Sequence, residues 1–420
     1  MMLFLIWGSF LHGGWAELFI VLVVVQICLH YNDLYPSSAQ FSMKKFWQRH
    51  VQAILWAAGI LSVLYFLFQP QWSVQEGLWV RVLVFPLILI GLRVAYQTFA
   101  AKEGNLILVV GSDDTVAQIK AAVSERTDLG YSLIHLPWKV SSPDCLEESI
   151  RRLTEIIAQY PIAKVVIAVR DRRQQFPLES LIHLRVQGVE IVEAVAFYEQ
   201  ISGKVAVTSL KPSHLIFGEG FRRGQWGRFL KRGFDIVLAL GGLVLVAPMV
   251  PLVMLAIRLD SKGPIFYLQE RVGEKGRPFT LIKFRSMRED AEIKSGPVWA
   301  SLDDPRITRV GRILRMLRLD EIPQIINVLK GEMSFVGPRP EREVFVRQLC
   351  KKIPYYDLRF TVKPGITGWA QVKYRYGASE DDALQKIQYD LYYVKYFSFL
   401  FDFTIILETL RVVLSGKGAR

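Results

Sequence analysis

An acidic pair, Asp320 and Glu321, follows Arg315 and Arg318 and opens the stretch LDEIPQIINVLKGEMSFVGPRP. Paired carboxylates can supply a nucleophile and its partner, ligands for a hard cation, or plain helix caps. Leu319–Gly331 reads as a short helix, with Asp320 near the N-cap and Glu321 in the first turn. Pro323 falls where no intrahelical N–H is needed, and Gly331 suits the C-terminal cap. Capping and dipole complementarity explain most acids at helix starts. Two features weigh toward chemistry instead. The neighbouring arginines and a positive helix end favour ionised carboxylates, as a nucleophile or metal ligand requires. All six histidines lie at or before His214, and Cys350 stands outside any motif, so carboxylates are the best nucleophiles in the C-terminal half.

Cations gather at turns around the pair: Lys283 and Arg285 in KFRSM, Arg306 in DDPRIT, Arg339 in GPRP and Arg375 in VKYRYG. Each alone reads as a solvated surface charge. Together, among glycines and prolines, they suggest loops shaped around an anion, because an arginine fork meets phosphate oxygens with fixed geometry.

These residues need elements to position them. The 420 residues allow two or three domains with full cores. Hydrophobic content is 51% and net charge +13, and mean hydropathy is positive. Membrane segments with basic flanks point to anionic lipid or a phosphate-bearing substrate, and away from nucleic acid. Cys28, Cys145 and Cys350 are too scattered for a disulfide framework, which fits a reducing compartment.

Residues 1–100 read as transmembrane helices, with apolar runs at 3–29, 51–68 and 78–98. The first run lacks the basic lead and cleavage site of a signal peptide. Lys44, Lys45 and Arg49 follow it, no Lys or Arg lies in QPQWSVQEG, and Arg93 and Lys102 come after the third. The positive-inside rule then puts the N-terminus outside and everything after about 100 in the cytosol.

Residues 101–205 alternate strand and helix patterns, which predicts a parallel, doubly wound α/β domain of Rossmann type. Its first turn, VVGSDDTVAQI, keeps only Gly111 of the GxGxxG pattern, and Asp113 and Asp114 would repel phosphate. A scaffold or regulatory role follows. A YxxxK match at Tyr160–Lys164 contains Pro161 and runs into a strand, which argues against a dehydratase. Residues 206–228 are irregular and basic, a linker. Residues 231–260 then hold an apolar run with Lys231 and Arg232 before it and Arg258 and Lys262 after it. Both flanks carry the cytosolic signature, and Pro248 and Pro251 interrupt the middle. A re-entrant helix that bends at Pro248 satisfies both. Near the end, FLFDFTIILETLRVVL suits an interfacial helix better than a span.

The C-terminal block, 229–420, resembles the bacterial sugar transferases, the monotopic polyprenyl-phosphate hexose-1-phosphate transferases. The motifs are KRGFDIVLAL, GPIFYLQERVG, FTLIKFRSM, DDPRITRVGRILR, the acidic-pair stretch, KPGITGWAQV and YDLYYVKYFSF, in family order. The large members of that family usually carry four N-terminal spans, one more than counted here. The resemblance implies a membrane protein of α/β class: transmembrane helices, a degenerate Rossmann-like domain, and a mainly α catalytic domain anchored by the re-entrant helix. It implies transfer of a hexose-1-phosphate from a UDP-sugar to undecaprenyl phosphate, with release of UMP, to begin exopolysaccharide, capsule or O-antigen-type glycan assembly. Asp320 would be the nucleophile of a covalent intermediate and Glu321 its partner. Mg²⁺ would be held by both, with Asp390 helping to hold it or orienting an arginine. Lys283, Arg285, Arg306, Arg315, Arg339, Gln371 and Arg375 would contact substrate. The implied location is the bacterial inner membrane, with the catalytic domain on its cytosolic face. A homo-oligomer is compatible with this reading.

Overall fold

The computed structural model describes residues 106–111, 114–126, 130–138, 143–169, 178–210, 220–221, 224–289, 304–374 and 379–414, with isolated positions elsewhere. The three expected N-terminal spans lie almost wholly outside these residues. The chain divides into two compact units, Met1–Ser202 and Gly203–Arg420.

In the first unit, strands β1 (Leu106–Gly111), β2 (Ser132–Leu136), β3 (Ile162–Ala168) and β4 (Glu190–Glu193) form one sheet in the order β2-β1-β3-β4. Every pairing is parallel. Strands buried on both faces are continuously apolar rather than alternating. In β1, Ile107 and Val109 pack with α1 (Asp114–Glu125) and α4 (Ala194–Ser202). Leu108 and Val110 pack with α2 (Pro143–Gln159) and α3 (Leu178–Val186) on the other side. This is the doubly wound sheet expected from the alternation of strand and helix. Gly111 serves strand packing: a Cβ there would lie 2.1 Å from the Ala168 carbonyl oxygen. Lys164 lies within β3 and pairs with Glu190 at 2.9 Å, so it shares no helix face with Tyr160.

The second unit begins at Gly203, at the end of the segment read as the α/β domain, and takes in the segment read as a linker. Val205, Val207 and Leu210 are buried against Ile387 and Leu391, and the Val205 N–H donates to the Gln388 carbonyl at 3.0 Å. Residues 225–228, also assigned to the linker, are the first turn of α5 (Gln225–Val246). Apolar spacing made these parts core and helix despite their basic neighbours.

Helices α5 and α6 (Val250–Asp260) form a pair bent by 64°. No single helix among the described residues is long and apolar enough to cross a membrane; this pair reaches that length only together. Pro248 sits in the three-residue break, where its missing N–H ends the ladder. Pro251 does not interrupt anything. It occupies the first turn of α6, where a proline removes no intrahelical bond. Both arms carry outward apolar side chains, with Val244 77% and Leu252 69% exposed. Inward, Ala239 packs with Leu281, Ile325 and Val328, and Val253 and Ile257 pack with Phe284 and Leu314.

Around the bent pair the unit is mainly helical: α7 (Arg309–Met316), α8 (Gln324–Lys330), α9 (Glu343–Lys352), α10 (Trp369–Lys373), α11 (Glu380–Lys395) and α12 (Phe399–Leu414). An antiparallel hairpin joins β5 (Phe266–Val272) to β6 (Pro278–Phe284). A short parallel pair joins β7 (Ser334–Val336) to β8 (Gly365–Thr367).

Candidate active site

The acidic pair sits in a 3-10 turn, Leu319–Glu321, between α7 and α8. This differs from the single helix read from the sequence. Pro323 occupies the N-cap position of α8, and no side chain caps that helix end. Asp320 is therefore not a cap. Gly331 does close α8, with a left-handed φ of 84°. Polar contacts fix the C-terminal half of the helix. Arg232 of α5 donates to the carbonyls of Val328 and Leu329 at 2.6 and 2.7 Å. Buried Asn327 accepts from the Ile282 N–H at 3.1 Å and donates to the Thr280 carbonyl at 2.8 Å, holding α8 against β6.

Asp320 and Glu321 are both buried, at 7% and 8% exposure, in contrasting surroundings. Glu321 Oε1 accepts from Lys283 Nζ at 3.0 Å and from Arg339 Nη2 at 2.8 Å. Burial opposes its charge, but Arg339 and Lys283 outweigh burial and hold the carboxyl well below the usual carboxylate range. Asp320 has no hydrogen bond or ion pair among the described residues. Burial pushes its carboxyl up, opposed by the charges of Lys283, Arg315 and Arg339. The sequence led us to expect two equally ionised acids. The fold separates them into one clamped anion and one uncommitted carboxylate beside it.

Four expected site residues converge here. Lys283 comes from β6, Arg315 from α7, Arg339 from the turn after β7, and Gln371 from α10. Gln371 Oε1 accepts from Arg339 Nη1 at 2.9 Å, so it aims the guanidinium at Glu321. Arg315 donates through Nε to Ser286 Oγ at 2.9 Å while its charge acts on Asp320. Arg318, noted in the sequence only as a cation before the pair, joins them: it has φ 54° and ψ 23° and places Nη1 3.9 Å from Glu321 Oε2.

Other expected contacts are used elsewhere. Arg285 is buried and donates to the backbone and side chain of Ser261 at 2.7 and 2.9 Å, fixing the end of α6. Arg306 donates through Nε to Asp304 at 2.7 Å, and that bond first of all pulls the Asp304 carboxyl down to about 2. It orders its own turn. Asp390 is not assembled with the acidic pair into a metal cluster; no group of three His, Cys, Asp or Glu side chains among the described residues could hold an ion. Asp390 Oδ2 instead accepts from Arg359 Nη2 at 2.8 Å. The same nitrogen donates to the Arg339 carbonyl at 2.9 Å. Asp390 thus orients an arginine, and through it the backbone of Arg339. Arg375 lies outside the described residues. Arg359 was missed in the sequence because in YYDLRFTVKPG it reads as an ordinary surface charge two residues after Asp357. Its role needs α11 to be packed beside it.

The bent pair α5–α6 is wired to the same elements. Lys231 Nζ lies 3.1 Å from Asp235 Oδ1 and 2.9 Å from Asp402 Oδ2. Asp235 Oδ1 also accepts from Ser334 Oγ at 3.0 Å and the Phe335 N–H at 3.1 Å. Strand β7, which leads into Arg339, is therefore pinned to α5.

Residues 226–416 match the family model described as bacterial sugar transferase. The UDP-glucose:undecaprenyl-phosphate glucose-1-phosphate transferase of Caulobacter vibrioides is 42% identical over 195 residues, 45% of this chain and 71% of that protein. The chain belongs to the bacterial sugar transferase family. The UDP-N-acetylgalactosamine-undecaprenyl-phosphate N-acetylgalactosaminephosphotransferase of Aeromonas hydrophila is 47% identical over 192 residues, 46% of this chain and 45% of that protein. The undecaprenyl-phosphate glucose phosphotransferase of Komagataeibacter xylinus is 40% identical over 329 residues, 77% of this chain and 61% of that protein. The chain thus spans about half the length of these two relatives.

The family's motifs fall on the residues that build the site. LDEIPQ carries the acidic turn, KFRSM carries Lys283 and Ser286, GPRP carries Arg339, and YDLYY carries Asp390. The donor set, two carboxylates and not three, suits a hard divalent cation that takes its other ligands from water and phosphate. It is all oxygen, Asp320 is uncommitted, and no imidazole or thiolate lies in the motifs.

Proposed function

We propose that this bacterial sugar transferase moves a hexose-1-phosphate from a UDP-sugar to a polyprenyl phosphate. The observation that carries the reading is Asp320: a buried carboxylate with no hydrogen-bond or ion-pair partner among the described residues, beside a glutamate clamped by Lys283 and Arg339. The names of the relatives, all undecaprenyl-phosphate sugar phosphotransferases, support the donor and acceptor classes.

In the first step an Asp320 oxygen attacks the phosphorus that bears the sugar. The P–O bond to the bridging oxygen breaks, UMP leaves, and an acyl phosphate joins Asp320 to the sugar phosphate. In the second step a phosphate oxygen of the lipid attacks the same phosphorus. The acyl phosphate bond breaks, Asp320 regains its carboxylate, and the lipid diphosphate sugar is the product. Partial burial keeps water from competing for the intermediate. Lys283 and Arg339 stabilise the negative charge that accumulates on the diphosphate oxygens. Glu321 holds these two cations in place. Asp320 and Glu321 would hold Mg²⁺, which would neutralise phosphate charge as a Lewis acid. The deciding experiment is UMP release from a panel of UDP-sugars by the purified protein with undecaprenyl phosphate. No release from any of them would end this reading.

The acceptor is a lipid, so the site must work at headgroup depth. The bent pair α5–α6 serves this reach by dipping into the cytosolic leaflet and returning. Outward apolar side chains on both arms support the dip. Cysteines at Gly224 and Lys262, in a background without Cys28, Cys145 and Cys350, are expected to resist an impermeant reagent in intact cells. Both label once the membrane is opened. Labelling of the Lys262 site alone from outside would make the pair a span and contradict the dip. Lys231 is unsuitable for this test, because it is committed to Asp235 and Asp402.

Activity is also expected to disappear in excess EDTA and to return with Mg²⁺ or Mn²⁺. Full turnover in EDTA would remove the metal from the scheme.

A further inference from the structure

We propose that Arg318 receives the phosphate of the lipid acceptor, an assignment that rests on the reaction proposed above. The first observation is its backbone. Arg318 takes a left-handed conformation, φ 54°, one residue before the turn that holds the pair. Glycine or asparagine fits this conformation more easily than arginine. A long cationic side chain in a strained position is a pointer to function.

The second observation is what its guanidinium does. Lys283 and Arg339 are engaged with Glu321 at 3.0 and 2.8 Å. Arg318 reaches the same carboxylate only at 3.9 Å, and its side chain is 32% exposed. Its planar fork is therefore open to an incoming anion beside Asp320, with donors matched to phosphate oxygens.

The third observation gives the direction of approach. Ile313, Met316 and Leu317, on the helix and turn just before Arg318, are 50–54% exposed. Three large apolar side chains facing outward just before Arg318, interleaved with Arg312 and Arg315 of the same helix, suit a lipid whose tail stays in the bilayer while its phosphate enters. A nucleotide sugar arriving from water has no use for that surface. Donor charge is left to Lys283 and Arg339, and the acceptor phosphate to Arg318.

Arg318→Gly and Arg318→Asn relieve the backbone and so should fold, and Arg318→Lys keeps the charge but loses the fork. The full-length protein, held in nanodiscs, is titrated with a short-chain polyprenyl phosphate, with the matching alcohol and with inorganic phosphate. Affinity for the lipid phosphate should fall roughly 10- to 100-fold in Arg318→Gly, with a partial loss in Arg318→Lys. Affinity for the alcohol should not depend on residue 318. In turnover, KM for the acceptor should rise far more than KM for the UDP-sugar. Unchanged lipid-phosphate affinity in Arg318→Gly overturns the assignment. So does a rise confined to the donor KM, or inorganic phosphate competing as well as the lipid phosphate. If the parent protein releases no UMP, the reaction is wrong, while the titration still decides what Arg318 binds.

Discussion

Asp320→Asn is expected to reduce UMP release by a factor on the order of ten thousand or more, because the amide cannot form the acyl phosphate. The variant should fold. Asp320 makes no cap or hydrogen bond to lose, and burial raises its carboxyl, so its charge opposes folding at neutral pH. The sign follows: a carboxyl raised in the folded state favours the fold below its unfolded pKa, and that gain is lost as pH climbs through the raised value. Asp320→Asn should therefore be at least as stable as the parent at pH 7. Glu321→Gln removes the anion that gathers Lys283 and Arg339, and should cost roughly 100- to 1,000-fold. The pH profile offers a second check. The acid limb of kcat/KM should lie above the range of an ordinary aspartate, because Asp320 must ionise against burial. Substantial turnover by folded Asp320→Asn would remove the covalent step.

Asp390→Leu is expected to destabilise the second unit by about 3–5 kcal/mol, the usual cost of leaving a buried charge without its partner. Arg359 and Asp390 have side chains only 5% and 4% exposed, and they meet at 2.8 Å. With Asp390 gone, the guanidinium keeps only neutral hydrogen-bond partners among the described residues, the Tyr356 hydroxyl at 2.7 Å and the Arg339 carbonyl at 2.9 Å, with the charge of Glu341 acting on it without a hydrogen bond. The double variant Asp390→Leu with Arg359→Met removes both charges and should recover much of the loss. It should not recover activity fully, because the Arg339 backbone has lost its donor. Denaturant unfolding followed by tryptophan fluorescence checks the first point, and UMP release the second. A double variant no more stable than Asp390→Leu alone would mean that the pair's charges do not set the cost.

Several features were open to inspection in the chain alone. The strands of the first unit announced themselves as continuous apolar runs, since burial on both faces leaves no polar alternation. The break at Pro248 was visible because proline lacks the N–H that a helix interior needs. The acidic pair, Lys283, Arg315, Arg339 and Gln371 lie in motifs whose order already resembled the family. Local chemistry was enough for all of these, because each depends on a few neighbouring residues.

Tertiary structure decided the rest. Arg285, Arg306 and Asp390 have the same residue types as the groups around the acidic pair, yet each is committed to a distant or local partner that only folding brings within 3 Å. Pro251 looks like a second break in the chain, but the phase of α6 places it in a first turn. The sequence could not separate Asp320 from Glu321, since adjacent carboxylates see the same composition. The 3-10 turn points one at Lys283 and Arg339 and leaves the other unpaired. That difference, one anion clamped and one carboxyl without a partner among the described residues, arises from directions in space that no spacing along the chain encodes.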